Sequence, residues 1–301
     1  MRKLSRRAAS IALAAVMLFT TAGDSKKKVE AASTGKLSVT GYQDYNDAQK
    51  ILKEVNKYRK KNGRKALKMD RGLTNSAIMR GFETTIYIPE TSPHRRPNGK
   101  LSKSINKKII YENCAQSAGT TPKQIVKGWI DSSTHRKGLL LSNAKSVGVA
   151  AVTVVSRDGY EANTWVLDFS SSKAKKVEKS KARKQFTKNI VTKNSYLKKS
   201  YLKLDSRYGT IWETEKMQMK PTYQGKMMKE YGVYPTVINA SSFTSWKSSN
   251  PSVASVDSNG RITGNKAGTA TISAKLKTGT KITISKKIKV VPTNQQIDPW
   301  E

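Results

Sequence analysis

The chain lacks most of what usually marks a catalytic centre. Its 301 residues include one cysteine, Cys114, and two histidines, His94 and His135. A single cysteine excludes an internal disulfide framework. Two histidines confine imidazole chemistry to two places. Acids are scarce as well, 21 against 57 Lys and Arg, so the formal net charge is +36. A field of that sign draws in anions such as phosphate polymers, acidic lipids or nucleic acid, and does not constrain the fold. No apolar run reaches the ~20 residues that a membrane-spanning helix needs.

The first 31 residues narrow the partner class. Arg2, Lys3, Arg6 and Arg7 precede an apolar run from Ala8 to about Phe19. A basic head before a short apolar stretch is the pattern of a secretory signal. Residues 1–31 are therefore expected to be a signal peptide, with cleavage after Ala22 or Ala31. Export makes nucleic acid an unnatural partner. It leaves anionic cell-wall polymers, or host surface glycans and lipids, as the partners that match the charge, with no transmembrane anchor. Cys114 reads as a small buried apolar residue.

Apolar residues at Ala48, Ile51, Leu52, Val55 and Tyr58 have helical spacing, and Asn62-Gly63 stops them. Leu73, Ala77, Ile78, Phe82 and Ile86 repeat that spacing up to Pro89. A third helix is predicted over 121–132. Thr121 and Gln124 form a capping box, Pro122 fits the first turn, and Ile125, Val126, Trp129 and Ile130 make the apolar side. His135 is placed just beyond it. Strands are expected at 146–155 and 162–169 around an Asp158-Gly159 turn. Residues 40–171 then form one compact layered α/β unit.

Residues 173–203 hold twelve Lys or Arg and one acid, Glu178. Residues 172–212 are expected to be a solvated basic linker, partly helical at most. From 213 to 292 the pattern changes to alternation, as in "GTATISAKL" and "KITISKKIKVV". Turn signals at 258–260 and 278–280 complete the pattern of a β-sandwich. Residues 293–301 read as a loose tail.

In the first unit His94, Glu112 and His135 are the groups able to move protons near neutral pH or to hold a divalent cation such as Zn²⁺ with one position open. The string "YENCAQSAGTTPKQIVKGWIDSSTHRKGLLLSNAKSVGVAAV" resembles the CAP superfamily (cysteine-rich secretory proteins, antigen 5, pathogenesis-related 1). Its bacterial members show a Glu-Asn pair, a helix ending in Trp, an S-x-x-H-R step and an [IV]-G-V strand. Here these are Glu112-Asn113, Trp129, Ser132 with His135-Arg136, and Val147-Gly148-Val149. "SPHRRPNG" resembles the family's H-x-R-P-x-G loop. The resemblance covers about residues 44–170 and implies an α-β-α sandwich with one open cleft. It implies cleft positions for His94, Glu112 and His135, with Asn113, Arg136 and Trp129 in support. Asp131 stands near the place of the family's second acid. The family's E-N-[IL]-A is Glu-Asn-Cys-Ala here, so Cys114 replaces an aliphatic residue.

"WKSSNPSVASVDSNGRITGNKAGTATISAKLKTG" resembles a bacterial Ig-like group 2 domain, which implies a secreted β-sandwich with Trp246 and Val253 as core. Three functions follow as alternatives. One is a non-catalytic surface or adhesion module whose cleft holds a cation or small ligand. The second is a metal-assisted or acid/base hydrolase acting on peptides or wall polymers through the same cleft. The third is a lipid or sterol binder. No nucleophile is singled out: Ser132, Ser133 and Thr134 read as turn chemistry at a helix end.

Overall fold

A computed structural model describes residues 34–86, 94–117, 119–156, 159–205, 209–230, 232–277 and 281–293. The signal segment, Asp158, the 278–280 turn and most of the tail lie outside these residues. Among the described residues no helix is long and apolar enough to cross a membrane.

The first unit runs β1 (Thr34–Asp44), α1 (Tyr45–Lys61), β2 (Lys68–Met69), α2 (Arg71–Thr84), β3 (Tyr111–Ser117), α3 (Pro122–Asp131), α4 (Ser133–Leu139), β4 (Ser146–Val155), β5 (Glu161–Ser170) and β6 (Arg183–Lys193). Its sheet has the order β3-β5-β4-β1-β6, with β2 beside β4. The predicted helices and the β4–β5 hairpin are present. α3 starts on its capping box, with Thr121 and Gln124 bonded reciprocally and Pro122 in the first turn.

Alternation along the strands sorts the core into two layers, because successive side chains leave opposite faces. Val147, Val149 and Ala151 of β4 and Trp165, Leu167 and Phe169 of β5 pack with α1, α3 and Leu139. Ala150, Val152, Val154 and Val166 face the other way, against Ala77, Ile78 and Phe82 of α2. The result is the expected α-β-α sandwich. Gly148 marks the closest approach of α2: a Cβ there would stand 2.2 Å from the carbonyl carbon of Leu73.

The basic segment differs from expectation. Residues 172–212 are not a solvated linker. All eleven residues of β6 pair antiparallel with β1, from Thr34↔Lys193 to Asp44↔Arg183. The sheet therefore extends from residue 34 to residue 193, beyond the 40–171 read from sequence. The lysine run conceals a strand whose apolar content is small. Ile190 is fully buried, Phe186 packs against the core, and the cations lie over rings, Arg183 over Tyr42, Lys184 over Tyr45 and Lys188 over Phe186. Glu178 is spent locally, accepting from Arg71 Nε at 2.9 Å. Lysines on the sheet's outer strand also discourage pairing with another chain.

The second unit comprises β7 (Leu202–Asp205), β8 (Thr210–Trp212), β9 (Lys216–Gln218), β10 (Lys220–Tyr223), α5 (Lys226–Glu230), β11 (Thr236–Val237), β12 (Phe243–Ser248), β13 (Ala254–Val256), β14 (Arg261–Gly264), β15 (Gly268–Leu276) and β16 (Thr283–Val291). Sheets of order β12-β15-β16-β8 and β13-β14-β9 carry the sandwich, and β11-β10-β7 forms a third, smaller sheet. Val253 is buried, and half-buried Trp246 packs edge-on against Phe243. The 258–260 turn joins β13 to β14, with Gly260 at φ 73°. Asn239 bonds Ser38 and Thr40 of β1 (both 2.9 Å), and the Ser38 amide donates to Ser242 Oγ (2.8 Å).

The Gly148→Ala substitution tests the contact between α2 and β4. Its Cβ meets backbone, not a flexible side-chain end, so α2 must shift. The expected loss is about 1–3 kcal/mol by urea unfolding. Wild-type stability in the variant would show that α2 does not sit on β4 as described.

Candidate functional site

The site stands at the edge strand β3 and is organised by a guanidinium. Arg80 of α2 is fully buried. Its Nε and Nη2 donate to the two oxygens of Glu112 (2.8 and 3.1 Å), and its Nη1 donates to Glu83 Oε2 (3.0 Å). Glu83 Oε1 accepts from Arg96 Nε and Nη2 (2.8 and 2.7 Å). Glu112 Oε1 also contacts His94 Nδ1 at 3.0 Å. The H-R-R-P loop is thus held twice, through His94 to the sheet and through Arg96 to α2. A fork-to-fork pair of this kind fixes geometry as well as charge.

Adjacent residues of a strand face opposite ways, which explains why Glu112 and Asn113 stand side by side. Glu112 serves the α2 side. Asn113 serves the α4 side, where its Nδ2 donates to the carbonyl of His135 at 2.9 Å. Tyr111 Oη donates to the Thr134 carbonyl at 2.9 Å. Gly138 is required there, since a Cβ would meet Tyr111 at 2.6 Å and Asn113 Oδ1 at 2.8 Å. One edge strand therefore anchors the His94 loop on its α2 side and the His135 helix on its α4 side.

His135 does not lie in a loop beyond a helix. It belongs to α4, a short helix that follows α3 at once and was missed in the sequence. Ser132 is its N-cap: the hydroxyl accepts from the His135 amide (3.5 Å) and contacts His135 Nδ1 (2.9 Å). The expectation of turn chemistry at a helix end is replaced by capping of a helix start. Burial, and then the nearby His94, push His135 down to about 4, so its ring is neutral at pH 7. Arg136 Nη1 donates to the Ile130 carbonyl (2.9 Å), and Trp129 is buried in the core. Asp131 does not join these groups. It is exposed, four residues beyond Lys127, whose ammonium it meets at 2.6 Å.

The buried acids have opposite fates. Burial alone would raise Glu112. The charge and hydrogen bonds of Arg80, with His94, outweigh it and hold the carboxyl down to about 2. Asp168 is its cross-strand neighbour on β5 and has no exposure. Among the described residues neither of its oxygens has a hydrogen-bond partner. Burial, and then the Glu112 charge, push Asp168 well above the usual carboxylate range, with Arg80 only partly opposing. Cys114, half-buried, is pushed up to about 12 by burial and the Glu112 charge, so it stays a thiol.

The ligating atoms of His94, Glu112 and Cys114 lie within 4.8 Å of one another, the one such group among the described residues. This differs from the expected trio of His94, Glu112 and His135. Glu112 fits a cation poorly, because its oxygens already accept from Arg80 and contact His94. A cation there would have to displace one of these groups beside a fixed positive charge. The imidazoles are the better donors. Sequence reasoning missed Arg80, Glu83, Arg96 and Asp168 as working residues. The signal was there: Arg80 and Glu83 fall on the face of α2 that carries Ala77, and Asp168 interrupts the apolar run "WVLDF".

Residues 52–169 match the cysteine-rich secretory protein family. They form a CAP domain. Residues 218–288 match, and form, a bacterial Ig-like domain of group 2. The CAP domain is similar to the uncharacterized protein YkwD of Bacillus subtilis, 30% identical over 130 residues, which are 42% of this chain and 48% of that protein. The chain thus spans about half the length of the curated relative it matches. A crystal structure of an extracellular SCP-domain protein from Bacillus anthracis aligns at 18% identity, TM-score 0.32, over 42% of this chain and 41% of that one. An intimin mutant of EHEC O157:H7 aligns at 23% identity, TM-score 0.21, over 31% of this chain and 46% of that one.

The orphaned carboxyl of the CAP domain gives a pH test. An acid raised in the folded state binds its proton more tightly there. Stability is then lost as pH rises from the ordinary carboxylate value, about 3.9, through the raised one. Asp168→Asn removes this loss. The variant is expected to gain stability relative to wild type between pH 5 and pH 8 in urea titrations. An equal pH slope in both proteins would show that Asp168 is solvated or paired.

Proposed function

We propose that this chain is a secreted, non-catalytic binding module, held to anionic cell-wall polymers by its basic surface, whose CAP cleft takes a small ligand or a divalent cation. Zinc is the best match to the two imidazoles. The observation that supports this most is the state of Glu112. Both of its oxygens are engaged by Arg80 and His94. A carboxylate so engaged anchors a loop and is a weak acceptor for a substrate proton. His94 and His135 are the groups that would meet a ligand, with Glu112 as a buried support.

A second function is supported by one contact, the 2.9 Å approach of Ser132 Oγ to His135 Nδ1. A serine beside an imidazole is the start of a nucleophile–base pair. Here the same hydroxyl caps α4, and no acid orients the ring from its other nitrogen among the described residues. The pair therefore lacks the third member that makes such a serine reactive.

Attachment by charge has a clear signature. The screening length falls from ~8 Å in physiological salt to ~3 Å at 1 M. Full-length protein bound to isolated cell walls is expected to elute below ~1 M NaCl. Retention at that salt would sink the electrostatic attachment. Turnover of peptide or wall-fragment substrates by wild type, abolished in Ser132→Ala, would replace this function with the hydrolytic one.

A further inference from the structure

α4 has a second face, turned away from the cleft. Gly138 and Leu139 meet β3 and the core, while Ser133, Arg136, Lys137 and Leu140 recur at three, four and seven residues along the outer side. With Arg64 and Leu141 they line a cavity of about 440 Å³. No acid and no aromatic ring lines it. Leu140 and Leu141 are half-buried, and Arg64 and Lys137 are exposed. Among the described residues the side chains of Arg64 and Lys137 have neither an ion-pair nor a hydrogen-bond partner. Arg136 uses one nitrogen on Ile130.

The two rims are built, not incidental. Arg59 of α1 is 1% exposed. Its Nε donates to the Lys65 carbonyl (2.9 Å), and its Nη1 donates to the carbonyls of Leu139 (2.7 Å) and Leu141 (3.2 Å). One buried guanidinium thus ties the loop that carries Arg64 to the loop that carries Leu141. Among the described residues Arg59 meets no carboxylate; burial, and then Arg64, lower its pKa. Three cations, Arg64, Arg136 and Lys137, line the cavity around an aliphatic floor, and no acid of the described residues lines it.

We propose that this cavity is a subsite for an organic phosphate, occupied by one repeat of a polyol-phosphate chain. The phosphodiester oxygens meet Arg64, Arg136, Lys137 and the Ser133 hydroxyl as charge-assisted hydrogen bonds. The short carbon segment between phosphates rests on Leu140 and Leu141. A phosphate chain with sugar rings would call for an aromatic platform, which the cavity lacks. This deepens the wall-polymer function above and rests on it: it gives the polymer's chemistry and a seat distinct from the His94–His135 cleft.

The test uses the full chain and a labelled glycerol-phosphate oligomer in a polarisation assay across a salt series. Arg64→Ala/Lys137→Ala removes two exposed cations from the cavity. Lys287→Ala/Lys289→Ala removes the same charge from the exposed side of β16. The cavity variant is expected to bind roughly tenfold more weakly, with a slope of log K against log salt shallower by about one to two. The β16 variant is expected to stay within about twofold of wild type. Equal losses in the two variants would overturn the subsite and leave the wall-polymer function standing on a diffuse field. Absence of oligomer binding by wild type at low salt would overturn both. Tighter binding to vesicles of anionic phospholipid, lost in the cavity variant alone, would assign the cavity to a membrane and overturn the proposal.

Discussion

A guanidinium sealed between a helix and a sheet has to be neutralised where it sits, and Arg80 imposes that condition on everything around it. Removing such a charge from water costs several kcal/mol, recovered only through close, hydrogen-bonded partners. Glu112 and Glu83 are those partners. Glu83 then takes Arg96, and Glu112 takes His94, so the H-R-R-P loop closes the network from outside. A third carboxyl, Asp168, lies within the same field, and burial and the Glu112 charge push it well above the usual carboxylate range. Two ionised acids for two arginines leave no charge for a third.

The placement of the two histidines follows from this arrangement and from the geometry of a strand. Glu112 and Asn113 fasten opposite faces of β3 to α2 and α4. His94 is positioned by Glu112, and His135 by Ser132 and Asn113. Among the described residues, the buried carboxylate in contact with an imidazole, Glu112, is already held by nitrogen. The CAP and Ig-like domains also meet directly, through Asn239 and Ser242 against Ser38 and Thr40.

Much of this was legible in the sequence where one local rule decides the outcome. The capping box at Thr121, the apolar run of 146–155 and the alternating strand at 268–276 are set by neighbours in the chain, and the structure has them there. The motif residues His94, Glu112, Asn113, Trp129 and His135 led to the correct family and fold. What failed depended on partners far away in sequence. β6 reads as a solvated charge run, because its strand character comes from β1, some 150 residues earlier. α4 is too short to show a helical period. Arg80 and Glu83 sit on a helix face that apolar counting treats as core, and nothing local shows that their charges are matched. Asp131 sits near the expected acid by spacing, but α3 turns it outward to Lys127.

The central claim is that the Arg80–Glu112 pair holds the site together, and a double-mutant cycle tests it most directly. Arg80→Met and Glu112→Gln each leave a buried charge short of a partner, so each is expected to cost about 3–5 kcal/mol of CAP-domain stability. The double variant is expected to fall short of the sum of the two losses by about 1–3 kcal/mol, the coupling of groups in contact. Losses that add within ~0.5 kcal/mol would contradict the account, because they would show that the two residues do not depend on each other.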